Sequence, residues 1–167
     1  MANITITSTQ EARHYRGSRN VELSTLKFIE DSLATDWSGV NIVKTFAQLE
    51  KVANPVICVM LNDTNYTREE LGNTAFRNNY IFTIDIFATS DSMRLDMSDW
   101  LMNKLNPGWT YYEISQASGN NRTLVYTDAG RCRIDRIIEN TKVVLGTMGD
   151  VRDKYRQSII FEVTVGC

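Results

Sequence analysis

The sequence predicts a single α+β domain in which a mostly antiparallel sheet is flanked by two helices. Two segments repeat apolar residues at helical spacing, and several others alternate apolar and polar residues as strands do. The 167 residues fit one domain, since a domain takes roughly 100–200 residues. A composition of 43% apolar and 23% charged residues is ordinary for a globular protein.

The chain divides into an N-terminal arm, residues 1–19, and one folded domain, residues 20–167. In the arm, Ile4 and Ile6 alternate with threonines, and Gly17 and Ser18 precede the first helix. The arm has too little apolar content for a core of its own. A partner surface and an intramolecular strand are both open as its role.

The first helix is predicted at about residues 21–36, with Asn20 as N-cap and Gly39 beyond its end. Its apolar stripe comprises Leu23, Leu26, Ile29, Leu33 and Trp37. Val21 and Phe28, seven residues apart, fall on nearly the opposite side.

Strands are predicted next at 40–46 and at PVICVMLN, which begins at Pro55, with a helical turn at 47–52. Residues 62–79 are polar and rich in asparagine and threonine, and we expect a long loop there, with a short helix at TREEL. A loop of this length in a compact domain is unusual unless it binds something.

The segment YIFTIDIFATSD predicts a strand that runs directly into the second helix, capped by Ser90. One strand face carries Tyr80, Phe82, Ile84, Ile86 and Ala88, and the other carries Ile81, Thr83, Asp85, Phe87 and Thr89. The core stripe of the helix comprises Met93, Met97, Trp100, Leu101 and Leu105. Leu95 and Met102 lie roughly opposite, and Asn106-Pro107-Gly108 ends the helix.

Four further strands are predicted at 109–115, 123–128, 131–138 and 155–165. In the last, alternate residues face one way: Tyr155, Ile159, Phe161, Val163 and Val165. Arg156, Ser158, Ile160, Glu162 and Thr164 face the other way.

No residue pattern predicts catalysis. The one histidine, His14, excludes metal sites that need two or three histidines, and Cys58, Cys132 and Cys167 are too widely spaced for zinc. Nucleotide-binding and nucleophile motifs are absent from the sequence. Asp96 and Asp99 could hold a cation, although a solvated helix face explains them better. We therefore expect no enzyme, no metal and no cofactor, and the lack of a long apolar run predicts no membrane contact.

Charge is unevenly spread along the chain, whose net charge is −2. Residues 20–113 carry 7 basic against 13 acidic residues, whereas residues 122–156 carry 8 against 5. Such a dipolar chain is not a nucleic-acid binder of the usual basic kind. Solvated surface and complementary contacts between subunits both explain the asymmetry.

The far-side apolar pairs on the two helices would face water if each helix packed against the sheet by one stripe alone. Two such pairs suggest that the helix layer contacts another molecule. This makes assembly, rather than a reaction, the expected purpose of these surfaces.

The order helix, strand, PVICVMLN, loop, FRNNYIFTIDIFATSDSMRLDMSDWLMNKL and closing strands through RQSIIFEVTV resembles the tail-terminator (tail-completion) proteins of long-tailed bacteriophages. The resemblance covers about residues 20–165. It implies a homo-hexameric ring at the head–tail junction that caps the tail tube and joins it to the neck. Its partners would be further copies of itself, the tail tube protein and a neck or connector protein, in the virion after synthesis in the host cytoplasm. DNA would pass through the ring without specific binding.

Two sets of residues follow from this expectation. The candidates for subunit or partner contacts are Val21, Phe28, Leu95, Met102, Arg131, Arg133 and Arg136. The candidates for a DNA-facing lumen are Thr83, Asp85, Glu162 and Thr164, because a channel that lets DNA pass should not present a basic stripe. Another neck or connector ring protein is the alternative in the same class, and a stand-alone ligand- or peptide-binding domain is the alternative in another.

Overall fold

Over the residues that it describes, a computed structural model shows a mixed α+β fold with a six-stranded curled sheet and three helices. The structure describes residues 9–68, 76–116, 124–144 and 154–166, with only the backbone of residues 9–15, 68, 76 and 116. The helices are α1 (Thr9–Asp36), α2 (Phe46–Leu49) and α3 (Asp91–Leu105). The strands are β1 (Asn41–Val43), β2 (Val56–Arg68), β3 (Phe76–Phe87), β4 (Trp109–Gln116), β5 (Leu124–Lys142) and β6 (Arg156–Gly166).

The sheet has the strand order β1-β2-β3-β6-β5-β4. Only the short β1–β2 pair is parallel, and the other four pairs are antiparallel. The coarse prediction of an α+β fold with a mostly antiparallel sheet is therefore confirmed. Residues 123–128 and 131–138, predicted as two strands, belong instead to the single long strand β5.

The curl of the sheet comes from β5, which pairs with β4 through residues 124–132 and with β6 through residues 131–142. Register shifts interrupt the β5–β6 ladder twice, and another interrupts the β4–β5 ladder. Each bulge bends a strand and increases its twist. As a result β4 bends toward α1, and its first residues pack directly against that helix.

One continuous apolar core joins α1 and α3 to a single face of β3 and β6. The alternation predicted for β3 places Tyr80, Phe82, Ile84 and Ile86 in this core, and all four are buried. Phe82 stacks on Phe161 of β6 with ring centroids 5.8 Å apart. A smaller cluster around Cys58 and Phe87 lies on the other face of the sheet, where Leu49 of α2 packs.

The first helix begins at Thr9, not near Val21, so the predicted break at Gly17 and Ser18 is wrong. Glycine inside a helix lowers helix stability by about 1 kcal/mol relative to alanine. For this reason Gly17 was predicted to interrupt the chain before the helix. Here a Cβ on Gly17 would lie 2.9 Å from the Tyr80 hydroxyl, so the missing side chain permits a close approach of α1 to β3. Residues 1–8 of the predicted arm lie outside the described residues.

The long loop predicted at 62–79 is also wrong, because β2 continues to Arg68 and β3 begins at Phe76. The two strands pair through Asn65 with Asn79 and Tyr66 with Asn78. Their polar composition reflects exposure, since Asn65, Tyr66 and Thr67 are all exposed. Residues 69–75, which hold most of the predicted short helix, lie outside the described part of the chain.

A polar network fastens the start of α3 to β5 and β6. Ser90 caps the helix as predicted, accepting a hydrogen bond from the Met93 amide at 3.2 Å. Asp91 accepts hydrogen bonds from Lys142 at 2.9 Å and from Arg94 at 3.1 Å. The Arg94 guanidinium also donates to Gln157. These hydrogen bonds hold the N-terminal end of α3 against β5 and β6.

Acid is expected to weaken this network. The hydrogen bond from Lys142, and then that from Arg94, lowers the pKa of Asp91 below its ordinary value of 3.8. Because the folded-state pKa is the lower one, Asp91 stabilises the fold above about pH 4, and this contribution disappears as the pH falls through the folded-state pKa. The melting-temperature gap between the wild type and Asp91→Asn should therefore narrow between pH 7 and pH 3. In a Lys142→Met background the gap should already be smaller at pH 7, and a gap independent of pH would contradict this account.

Candidate functional site

The four candidate lumen residues share the sheet face that points away from the core of α1 and α3. The β3–β6 register pairs Ile81 with Glu162 and Asn79 with Thr164. Since paired residues point to the same face and alternate residues of β3 share it, Thr83 and Asp85 lie on this face too. The alternation in the sequence and the register of the strands therefore place these four side chains on the same face of the sheet.

Asp85 is not a surface residue on that face, because its side chain is only 1% exposed. Arg156 covers it and donates from Nε to Oδ1 at 3.0 Å, while the guanidinium stacks over the Phe46 and Phe87 rings at 5.0 and 5.2 Å. The pKa of neighbouring Cys58 is raised to about 11, mainly by burial and to a smaller extent by the negative charge of Asp85. The positive charge of Arg156 opposes this shift. The expectation that Asp85 lines an open channel wall is corrected accordingly.

Glu162 and Thr83 are buried in a similar way. The Glu162 carboxylate accepts a hydrogen bond from Arg136 Nε at 2.6 Å, with the arginine lying exposed above it. Thr83 accepts a hydrogen bond from the Asn62 side chain. Of the four candidates, only Thr164 is partly exposed. Each buried carboxylate has an arginine over it, so the face does not present the acidic wall that we expected.

Thr164 instead lies in a concavity of about 490 Å³ at the end of the sheet where β6 finishes. We call this site the arginine concavity, and its lining residues are Arg77, Gly130, Arg131, Arg133, Thr164, Val165 and Gly166. The β5–β6 register places Arg131 opposite Gly166 and Arg133 opposite Thr164. Two arginines predicted as contact residues thus share a site with one predicted lumen residue.

The end of α3 fixes the position of Arg131. Its Nη2 donates to the Pro107 and Gly108 carbonyl oxygens at 3.2 and 3.1 Å. Gly108 has a φ of 78°, and a Cβ there would lie 2.5 Å from the Cys132 carbonyl oxygen. Glycine is therefore required where the turn after α3 passes against β5, and that turn holds the guanidinium in place.

The concavity carries a net positive charge. Arg77 is in an ion pair with Asp135 at 3.5 Å, with both side chains about half exposed. Arg133 is exposed, and its side chain forms no hydrogen bond or ion pair with another described residue. A planar guanidinium binds carboxylate or phosphate oxygens through two parallel hydrogen bonds. The chemistry available here is the binding of an anion.

The predicted contact pair on α1 packs within the chain, with Val21 buried and Phe28 partly buried, which corrects the expectation that both face water. Val21 is 0% exposed, and Phe28 stacks on Trp109 with ring centroids 5.9 Å apart. The reason is the curl of the sheet, which brings β4 against a second side of α1. There Ser24 Oγ accepts a hydrogen bond from the Tyr112 amide at 2.9 Å.

The corresponding pair on α3 differs. Leu95 is 49% exposed, as expected for a contact residue, whereas Met102 is half-buried against the core. Ile137 and Ile138 of β5 are exposed as well, although neither was among the predicted contact residues. Two consecutive isoleucines in a strand are a usable signal, because neighbouring strand residues point to opposite faces. Arg77 was also missed, since only the fold brings it beside Arg131.

No three histidine, cysteine, aspartate or glutamate side chains within the described ranges lie close enough together to hold a metal ion. Cys58 and Cys132 are buried thiols, and burial raises the pKa of Cys132 to about 12. None of the helices in the described residues is long and apolar enough to cross a membrane. Comparison of the chain with protein-family models and with curated proteins finds no match.

Proposed function

We propose that this chain is a structural protein of the phage head–tail junction, a tail terminator that caps the tail tube and joins it to the neck. It works as a homo-oligomeric ring, hexameric by resemblance, through surface complementarity rather than catalysis. Its partners are further copies of itself, the tail tube protein and a neck or connector protein. DNA passes through the ring without specific binding.

The observation that carries this proposal is the position of the two stretches on which the resemblance rests. YIFTIDIF ends β3, and RQSIIFEVTV makes up nearly all of β6; these two strands are adjacent at the centre of the sheet. The helix that follows β3 packs on the same apolar core. The family pattern therefore corresponds to the structural centre of the domain and not to peripheral segments.

Exposed apolar side chains give the proposal further support. An assembly would remove apolar surface from water at Leu95, on the outer side of α3, and at Ile137 and Ile138 on β5. Burial of such a side chain stabilises by about 1.5–3 kcal/mol. A single exposed apolar residue is common and does not by itself indicate an interface. These three support the proposal because they lie on both the helix layer and the sheet of the domain.

A stand-alone binding domain is the second candidate, and the arginine concavity is the observation that favours it. A net positive concave site suits a small anion or the carboxylate of a peptide. Another neck or connector ring protein would share the ring but not the contact with the tail tube.

Light scattering on the purified protein at high concentration tests the proposal. A hexamer of 19.1 kDa chains has a mass of about 115 kDa. A ring mass is the expected result, and binding to the ends of isolated tail tubes should separate a terminator from another neck ring. A protein that stays monomeric with and without tail tubes would favour the binding domain.

A further inference from the structure

We infer that the arginine concavity receives the outer face of α3 from a second copy of the chain. The acidic α3 face is the exposed row of Ser92, Asp96, Asp99 and Asn103, with exposed Leu95 beside it. The inference rests on the proposed ring and specifies the contact that would build it.

The acidic α3 face is the side of this helix that the domain leaves unused. Met97, Leu101 and Leu105 point into the core. A second side meets α1, where Trp100 Nε1 donates to Asp36 at 2.9 Å. The side chains of Asp96 and Asp99 form no hydrogen bond or ion pair with any residue that the structure describes.

The arginine concavity offers the complementary charge in a fixed position. Its three arginines outnumber the two carboxylates that the described residues place beside them, Asp135 paired with Arg77 and Asp128 accepting from the Gly130 amide, so positive charge is left over. Arg131 is held by backbone carbonyls through a single nitrogen, Nη2, and its remaining N–H groups are available. Little side-chain freedom remains to be lost when such a held guanidinium binds a carboxylate.

The spacing of the charges also matches. Arg131 and Arg133 are alternate residues on one strand face, about 6.7 Å apart along β5. Asp96 and Asp99 are three residues apart on a helix, with Cβ atoms about 5–6 Å apart. Two arginine–carboxylate pairs can therefore form side by side, and each pair can use two parallel hydrogen bonds.

The placement of the two surfaces determines the symmetry of the contact. The acidic face belongs to the helix layer, whereas Arg131 and Arg133 lie on the opposite face of the sheet, beside Thr164. A contact between two different surfaces is heterologous, so each copy can bind one neighbour at each surface. Such head-to-tail contacts close into rings when the rotation permits, which is what a terminator needs.

Charge reversal with recovery by mixing tests the inference. One variant carries Arg131→Glu and Arg133→Glu, and the other carries Asp96→Lys and Asp99→Lys. Each alone should associate at least about a hundredfold more weakly than the wild type, because like charges then oppose each other. A mixture of the two should recover assembly, since each reversed surface now complements the other. Glu30→Lys with Glu50→Lys, at exposed positions elsewhere, is the matched control and should assemble normally.

Native mass spectrometry of each variant and of the mixture gives the readout, with circular dichroism to establish that each variant is folded. Should the Arg131 substitution unfold the chain, Arg133→Glu alone tests the same contact. Rings that form equally well in both double variants would overturn the inference and leave the proposed ring intact. If the wild type assembles only on a tail tube, and both double variants assemble there equally well, the inference is again overturned and the proposed ring stands. Arginine variants that lose affinity for a DNA duplex but keep their assembly would show that the concavity binds phosphate instead.

Discussion

Replacing Trp109 by alanine is expected to lower the free energy of unfolding by about 3–5 kcal/mol. Trp109 is 1% exposed and lies where β4 meets α1. Its ring stacks on Phe28, and its Nε1 donates to Thr25 Oγ1 at 3.2 Å. Truncation would leave a cavity between the helix and the curled end of the sheet, and it would remove the hydrogen bond. Urea denaturation followed by far-ultraviolet circular dichroism measures the loss.

Two further variants separate these contributions. Trp109→Phe keeps a ring against Phe28 but removes the indole donor, so we expect a smaller loss than for alanine. Trp100→Phe is the matched control, because Trp100 is only partly buried and its donor reaches an exposed carboxylate. A loss below about 1 kcal/mol for Trp109→Ala would mean that β4 does not pack on α1 as described.

Replacing Arg156 by methionine should cost about 3–5 kcal/mol, because it leaves the Asp85 carboxylate buried without its cation. Methionine keeps apolar contact with the Phe46 and Phe87 rings, so the loss reports mainly on the charge. Thermal and urea unfolding at pH 7 measure it. The surface substitution Lys27→Met, which breaks the ion pair with Asp31, should cost less than about 1 kcal/mol.

Adding Asp85→Asn to Arg156→Met should recover much of the lost stability, since no uncompensated buried charge then remains. The recovery defines an interaction energy between the two positions. If the two substitutions were simply additive, Asp85 and Arg156 would not act as a buried pair.

Local patterns predicted the central elements well. The alternation over 80–89 placed the core face of β3, and the spacing from Ser90 to Leu105 placed α3 with its cap. Both signals depend only on residues near each other in sequence. The start of α1 was missed because Gly17 is explained by Tyr80, which lies more than sixty residues further along the chain.

Contacts distant in sequence explain the other differences. Val21 and Phe28 seemed to face water because one stripe suffices for a helix on a flat sheet. The bulges in β5 that curl the sheet are not visible in the sequence pattern. Likewise, alternation grouped Asp85 with Glu162 correctly, but it could not show that Arg156 and Arg136 lie over them. Register across strands decides which arginine covers which carboxylate.

We propose that this domain assembles head to tail into a closed ring. Class averages from electron cryomicroscopy of the concentrated protein, with isolated tail tubes as a second sample, test it most directly. We predict rings with sixfold symmetry and a central opening, either free or seated at the ends of the tubes. Single particles the size of one domain in both samples, or twofold dimers without an opening, would contradict the claim.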